Sequence, residues 1–174
     1  MNLIFYGLCF LLLTLSMNGL DLLPDFVGYF LLYRGLGQLA LKSQRLTKLQ
    51  GSCIAMFAMT LLLWAVSFSP EAGLVFGITF AMAKVFLLYW LIGVLQELQA
   101  SFTDAFFDIE TLRVRWTLVL TVEAVSYAAI LLRMNTLVTG LLGLAGMIIA
   151  VLFLMAFHRT RKAYGSVLET NTHE

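Results

Sequence analysis

The sequence predicts an all-α fold: a polytopic membrane bundle of six transmembrane helices, with one amphipathic helix lying along the cytoplasmic interface. Three observations carry that prediction. Of the 174 residues, 61% are hydrophobic and only 12% are charged, whereas a soluble domain carries about 25% charged residues. The mean hydropathy is +0.92. The apolar residues also fall in long runs without strand-like alternation, close to the roughly 20 residues that cross a hydrocarbon core about 30 Å thick. These runs fill residues 1–157, which are expected to form a single transmembrane domain, with a polar cytoplasmic tail over residues 158–174.

The first span is expected over residues 3–20, interrupted by Thr14, Ser16 and Asn18. It lacks a basic leading region and a small-residue cleavage site, so it is expected to stay attached. After the turn NGLD a second span runs over 22–41. Pro24 sits in its first turn, where a missing N–H costs nothing. Asp21 is placed to act as N-cap, and Asp25 to gain from the positive end of the helix dipole. Asp21, Asp25 and Tyr29 therefore form an expected outer-rim group, read as helix capping or else as a small mouth that attracts cations.

The third and fourth spans are expected over 52–69 and 74–95, joined by PEAG. Residues 96–115 are too polar to cross. Within them Phe102, Phe106, Ile109 and Leu112 recur at three- to four-residue spacing, which predicts an interface helix over about 101–113. The last two spans, 116–132 and 137–157, are separated by the turn RMNT. If residues 22–41 lie in the interface there are five spans, and the N-terminus changes sides. The apolar run FVGYFLLY favours a crossing, because interfacial helices carry a strongly charged face.

Charge distribution orients the bundle. Lys42, Arg45, Lys48, Arg113, Arg115, Arg159, Arg161 and Lys162 fall on one side, and Arg133 stands on the other with Asp21, Asp25 and Glu71. The positive-inside rule makes the basic side and the C-terminus cytoplasmic in a multi-pass cell-membrane protein. A net charge of +1 points to no nucleic-acid partner. Trp64, Tyr89, Trp90 and Trp116 near span ends read as interfacial anchors.

Three charges fall inside the spans: Arg34, Lys84 and Glu123. Each costs about 2.5–3.5 kcal/mol at the bilayer centre and so calls for a partner, water or an escape route. Lys84 and Glu123 come to similar depths on consecutive antiparallel spans, which predicts an ion pair. The pair reads as structural or as a proton- or ion-coupled site, and a protonated Glu123 is the third reading. Arg34 either snorkels toward the headgroups or joins this buried polar group. Gly28 and Gly35 share one helical face, and Gly140, Gly143, Gly146 and Ala150 give the last span a small-residue stripe. Both sets are expected to serve close helix packing, within the chain or between copies of a homo-oligomer.

Catalytic residues, a metal site and cofactors are not expected. Cys9 and Cys53 lie in apolar runs, His158 and His173 lie in the tail, and no nucleophile, phosphate-loop or zinc motif occurs. Partners are expected to be the lipid bilayer and, through Asp104, Asp108 or the 158–174 tail, another protein.

The string LLPDFVGYFLLYRGLGQL resembles the N-terminal part of a family of small multispanning membrane proteins of Gram-positive bacteria, in which an LPDFxGY-type segment follows an apolar first span. Asp21, Pro24, Asp25, Gly28 and Tyr29 match it, and the resemblance covers about residues 18–39. It implies a bacterial cell membrane and attaches no activity or site. The functional expectation is a small-solute or ion transport or substrate-capture protein using the buried charges. The alternative is a non-catalytic regulatory partner of another membrane complex.

Overall fold

A computed structural model describes residues 1–13, 16–17, 20–21, 25–39, 43–65, 70–101 and 108–171. Among them are six helices: α1 (Asn2–Leu12), α2 (Asp25–Leu36), α3 (Gln44–Ala65), α4 (Pro70–Ala100), α5 (Ile109–Leu131) and α6 (Thr136–Asn171). Between α1 and α2 the chain makes a short antiparallel pair, β1 (Ser16–Met17) with β2 (Leu20–Asp21), in which Ser16 faces Asp21.

The first two elements are shorter than the expected spans. α1 has 11 residues and α2 has 12, about 16–18 Å of helix each, little over half a hydrocarbon core. α1 stops at Leu12 with Leu13 as its C-cap, just before Thr14, Ser16 and Asn18, whose short polar side chains compete for the backbone. Asn-Gly, the residue pair that two-residue hairpin loops favour, separates the two strands in the sequence as Asn18-Gly19. Asp21 belongs to β2, four residues before α2 begins, so the expected start at residue 22 with an Asp21 cap gives way to a start at Asp25. Pro24 lies outside the described residues. At its other end α2 closes in a tight turn, with Gly37, Gln38 and Leu39 donating to the carbonyls of Tyr33, Gly35 and Leu36.

α1 and α2 form an antiparallel hairpin through backbone contact. A Cβ on Gly28 would lie 2.8 Å from Leu11 Cγ and 3.0 Å from the Gly7 carbonyl oxygen, and one on Gly35 would lie 2.7 Å from the Ile4 backbone nitrogen. Only glycine permits that approach.

α4, α5 and α6 are each long and apolar enough to cross a membrane, over Val75–Ala100, Ile109–Leu131 and Thr136–Ser166. Their outward faces carry exposed apolar side chains such as Phe86, Leu118, Ile130, Leu141 and Ile148, which suits lipid contact. α5 ends with Arg133 in the left-handed region (φ 51°). The N–H groups of Arg133 and Met134 donate to Ile130 and Ala129, a Schellman closure. Asn135 Oδ1 then accepts the Leu137 N–H at 3.2 Å to open α6.

The interface helix expected over 101–113 is not what the described residues form. α4 runs on to Ala100, residues 102–107 lie outside the described set, and 109–113 are the first turns of α5. Asp108 is that helix's N-cap, accepting the Thr111 N–H at 3.2 Å. The tail differs as well, because α6 continues unbroken to Asn171. Phe153, Phe157, Thr160 and Tyr164 repeat every three to four residues and are all buried, so the apolar stripe of the span carries on beyond it.

Helix directions alternate. Arg45 of α3 meets Glu97 of α4, Arg113 of α5 meets Gln96 of α4, and Phe5 of α1 meets His158 of α6. The starts of α1, α3 and α5, the ends of α2 and α4, and the C-terminal part of α6 thus gather at one end, the basic end. The core there joins Ile4, Leu32, Leu36, Leu49, Leu95 and Phe157.

Candidate functional site

The two charges expected to pair do meet. Lys84 Nζ lies 2.9 Å from Glu123 Oε1, with side chains 16% and 26% exposed. Two further bonds fix α4 against α5 on either side: Trp116 Nε1 donates to the Val85 carbonyl at 2.9 Å, and the Tyr127 hydroxyl donates to the Gly77 carbonyl at 3.3 Å. The ion pair therefore sits between two pinned points. Only one carboxylate oxygen is used. Glu123 Oε2 is buried and has no hydrogen-bond partner among the described residues.

That carboxylate forms part of the wall of a cavity of about 590 Å³ between α4, α5 and α6. Its polar lining is Lys84, Glu123, Ser126 and Tyr127, and the remainder is apolar or small, including Leu12, Gly143, Gly146 and Ala150. Leu12 is the last residue of α1, so the short hairpin stops at the level of the ion pair. Asp25, the first residue of α2, comes to the same region, since Tyr29 and Tyr127 both lie within electrostatic range of Asp25 and Glu123.

The other expected site residues fall into place around this centre. Tyr29 is not at a rim. It is 1% exposed, within the core. Arg34 is not brought to the pair. It is exposed in the last turn of α2, about 14 Å of helix from Asp25, with its guanidinium 5.9 Å from the Phe30 ring centroid. The negative end of the helix dipole favours a cation there. Gly28 and Gly35 pack α2 onto α1, whereas no atom lies within 4 Å of where a Cβ would sit on Gly140 or Gly143. The stripe on α6 thus lines the cavity through Gly143, Gly146 and Ala150, and its Gly140 and Gly143 make no tight contact among the described residues of the chain.

Asp104 lies outside the described residues. Asp108 serves α5 as its cap, and hydrogen bonding from Thr111, first through its side chain and also through its backbone N–H, holds its carboxyl below the usual carboxylate range, with Arg115 and Arg159 adding to the effect. The tail turns Phe157, Thr160 and Tyr164 inward and lays Arg161 over the Phe5 ring at 4.8 Å. Among the described residues no three His, Cys, Asp or Glu side chains converge as metal ligands.

Sequence reasoning missed Tyr127, Ser126 and Leu12. Tyr127 was within reach, lying four residues beyond Glu123 and so on the same helical face. Leu12 was not, since its place depends on where α1 breaks. No protein-family model, curated protein or solved structure matches the chain.

Chemically, the arrangement offers an apolar chamber with one polarised corner. The Glu123 carboxylate is an acceptor in the cavity wall, and Lys84 keeps N–H groups beyond the one it gives to Glu123. A volume of 590 Å³ falls inside the range of small-molecule sites, about 300–1,000 Å³.

Proposed function

We propose that the protein is a membrane-embedded capture or transport protein for a small solute, and that the solute occupies the chamber at Lys84 and Glu123. The observation that carries this reading is the Lys84–Glu123 ion pair set in the wall of an otherwise mainly apolar cavity. A charged pair in the wall of such a cavity supplies the few polar groups that orient a ligand in a mainly apolar pocket. The chemistry favours a mainly apolar solute with a hydrogen-bond-donating head, an ammonium or a hydroxyl.

The broken hairpin supports the same reading. Helices that stop inside a membrane are tolerated where their ends are buried in protein or line a cavity, and in transporters such discontinuous helices build the substrate site near the midplane. On this proposal the basic end faces the cytoplasm, and the LPDFxGY-type resemblance suggests a bacterial cell membrane. The regulatory-partner alternative would leave the chamber idle.

The test uses hexylamine, hexanol and hexanoate as probes of the purified chain. Hexylamine and hexanol are expected to raise the Tm by a few degrees and hexanoate to leave it unchanged, with both shifts absent in Glu123→Gln and in the double variant Lys84→Met/Glu123→Leu. A folded double variant that keeps the hexylamine shift would overturn the proposal.

A further inference from the structure

We propose a second site, independent of the chamber, at the basic end: a cleft between α3, α4 and α5 that binds the phosphate of an anionic phospholipid headgroup. It has a volume of about 270 Å³ and is lined by Arg45, Lys48, Tyr89, Trp90, Gln96 and Arg113, together with Ile92 and Gly93. Three cations from two helices face one small volume here.

Two of them are held in place by neighbours that leave donors over. Arg45 gives Nε to Glu97 Oε1 at 3.1 Å, and its Nη1 passes over Gly93, 3.4 Å from where a Cβ would stand. Arg113 gives Nη2 to Gln96 Oε1 at 3.3 Å. A guanidinium carries five N–H donors in a rigid fork that matches phosphate oxygens, so each retains donors for an anion. Glu97 offsets one charge, and the three cations together with that carboxylate sum to +2.

The aromatic residues argue for a lipid source of the phosphate. Tyr89 and Trp90 are exposed, and Tyr89 stacks on Trp116 with ring centroids 5.1 Å apart. Such rings lie at headgroup level. A basic pocket between membrane helices beside an aromatic belt is the chemistry that selects anionic phospholipid head groups over zwitterionic ones. The cleft is also just smaller than typical drug-sized pockets, which start near 300 Å³, and suits a phosphoglycerol group.

The test titrates the full chain in detergent with short-chain phosphatidylglycerol, phosphatidylcholine and inorganic phosphate, reading Tm. Phosphatidylglycerol is expected to stabilise, and Lys48→Gln/Arg113→Gln to weaken that response at least tenfold. Arg45 is left intact because it also holds Glu97. Arg34→Gln, an exposed cation outside the cleft, keeps the wild-type response, and so does Glu123→Gln. Equal stabilisation by phosphatidylcholine, or an unweakened response in the double variant, overturns the site. Inorganic phosphate reproducing the shift at equal concentration overturns the lipid source.

Discussion

At the scale of single residues, Lys84 and Glu123 are the pair on which the molecule's polar interior turns. Removing one member of a buried pair strands the other, at a cost of about 3–5 kcal/mol, whereas replacing both with apolar side chains is often neutral or stabilising. Lys84→Leu alone is therefore expected to lower the Tm markedly, and Lys84→Met/Glu123→Leu to restore it to within a few degrees of wild type, as measured by thermal unfolding in detergent. A double variant as unstable as the single one would mean that other groups depend on the charges. This pair was legible in the sequence, because insertion cost and helical depth act on two residues whose spans are adjacent. Arg34 read the same way by composition and lies elsewhere, since its depth depended on α2 being a full span.

At the scale of elements, the hairpin α1–α2 is held by glycine. Gly28→Val places two methyl groups against Leu11 and the Gly7 carbonyl, where a Cβ alone is already at 2.8 and 3.0 Å. Overpacking of this kind costs about 1–3 kcal/mol, a fall of several degrees in Tm. Gly140→Ala meets no atom within 4 Å and trades glycine for a better helix former by about 0.5–1 kcal/mol, so its Tm is expected to hold or rise. The two glycines look alike in sequence and differ in what stands opposite. The glycine face of α2 could be read from seven-residue spacing, but the interruption of α1 could not be read from hydropathy. Leu12 and Leu20 are equally apolar, yet α1 ends at Leu12 and Leu20 belongs to β2. The same limit explains the interface helix. Periodicity grouped Ile109 and Leu112 with Phe102 and Phe106, whereas the Asp108 cap assigns the first two to α5. The tail was misjudged by its charge, because Thr160 and Tyr164 continue a stripe that begins at Phe153.

For the molecule as a whole, six alternating helices put the basic side chains, the cleft and both described ends together, and hold the ion pair away from them. That gross arrangement was legible because charge and hydropathy are summed over long segments. The lengths of α1 and α2 were not, and they carry a mechanical consequence. Helices of 11 and 12 residues run alongside only part of α4, α5 and α6, which have 31, 23 and 36 residues. Set in a bilayer, such a bundle is expected to be broader at its basic end. Strongly curved bilayers accommodate a wedge best with its broad end on the convex side. Reconstituted into small vesicles, the chain is expected to orient with the basic end outward more often than in large ones, as read by labelling of Lys48 from outside. An orientation ratio independent of vesicle radius would show that α1 and α2 displace no more lipid on one side than on the other.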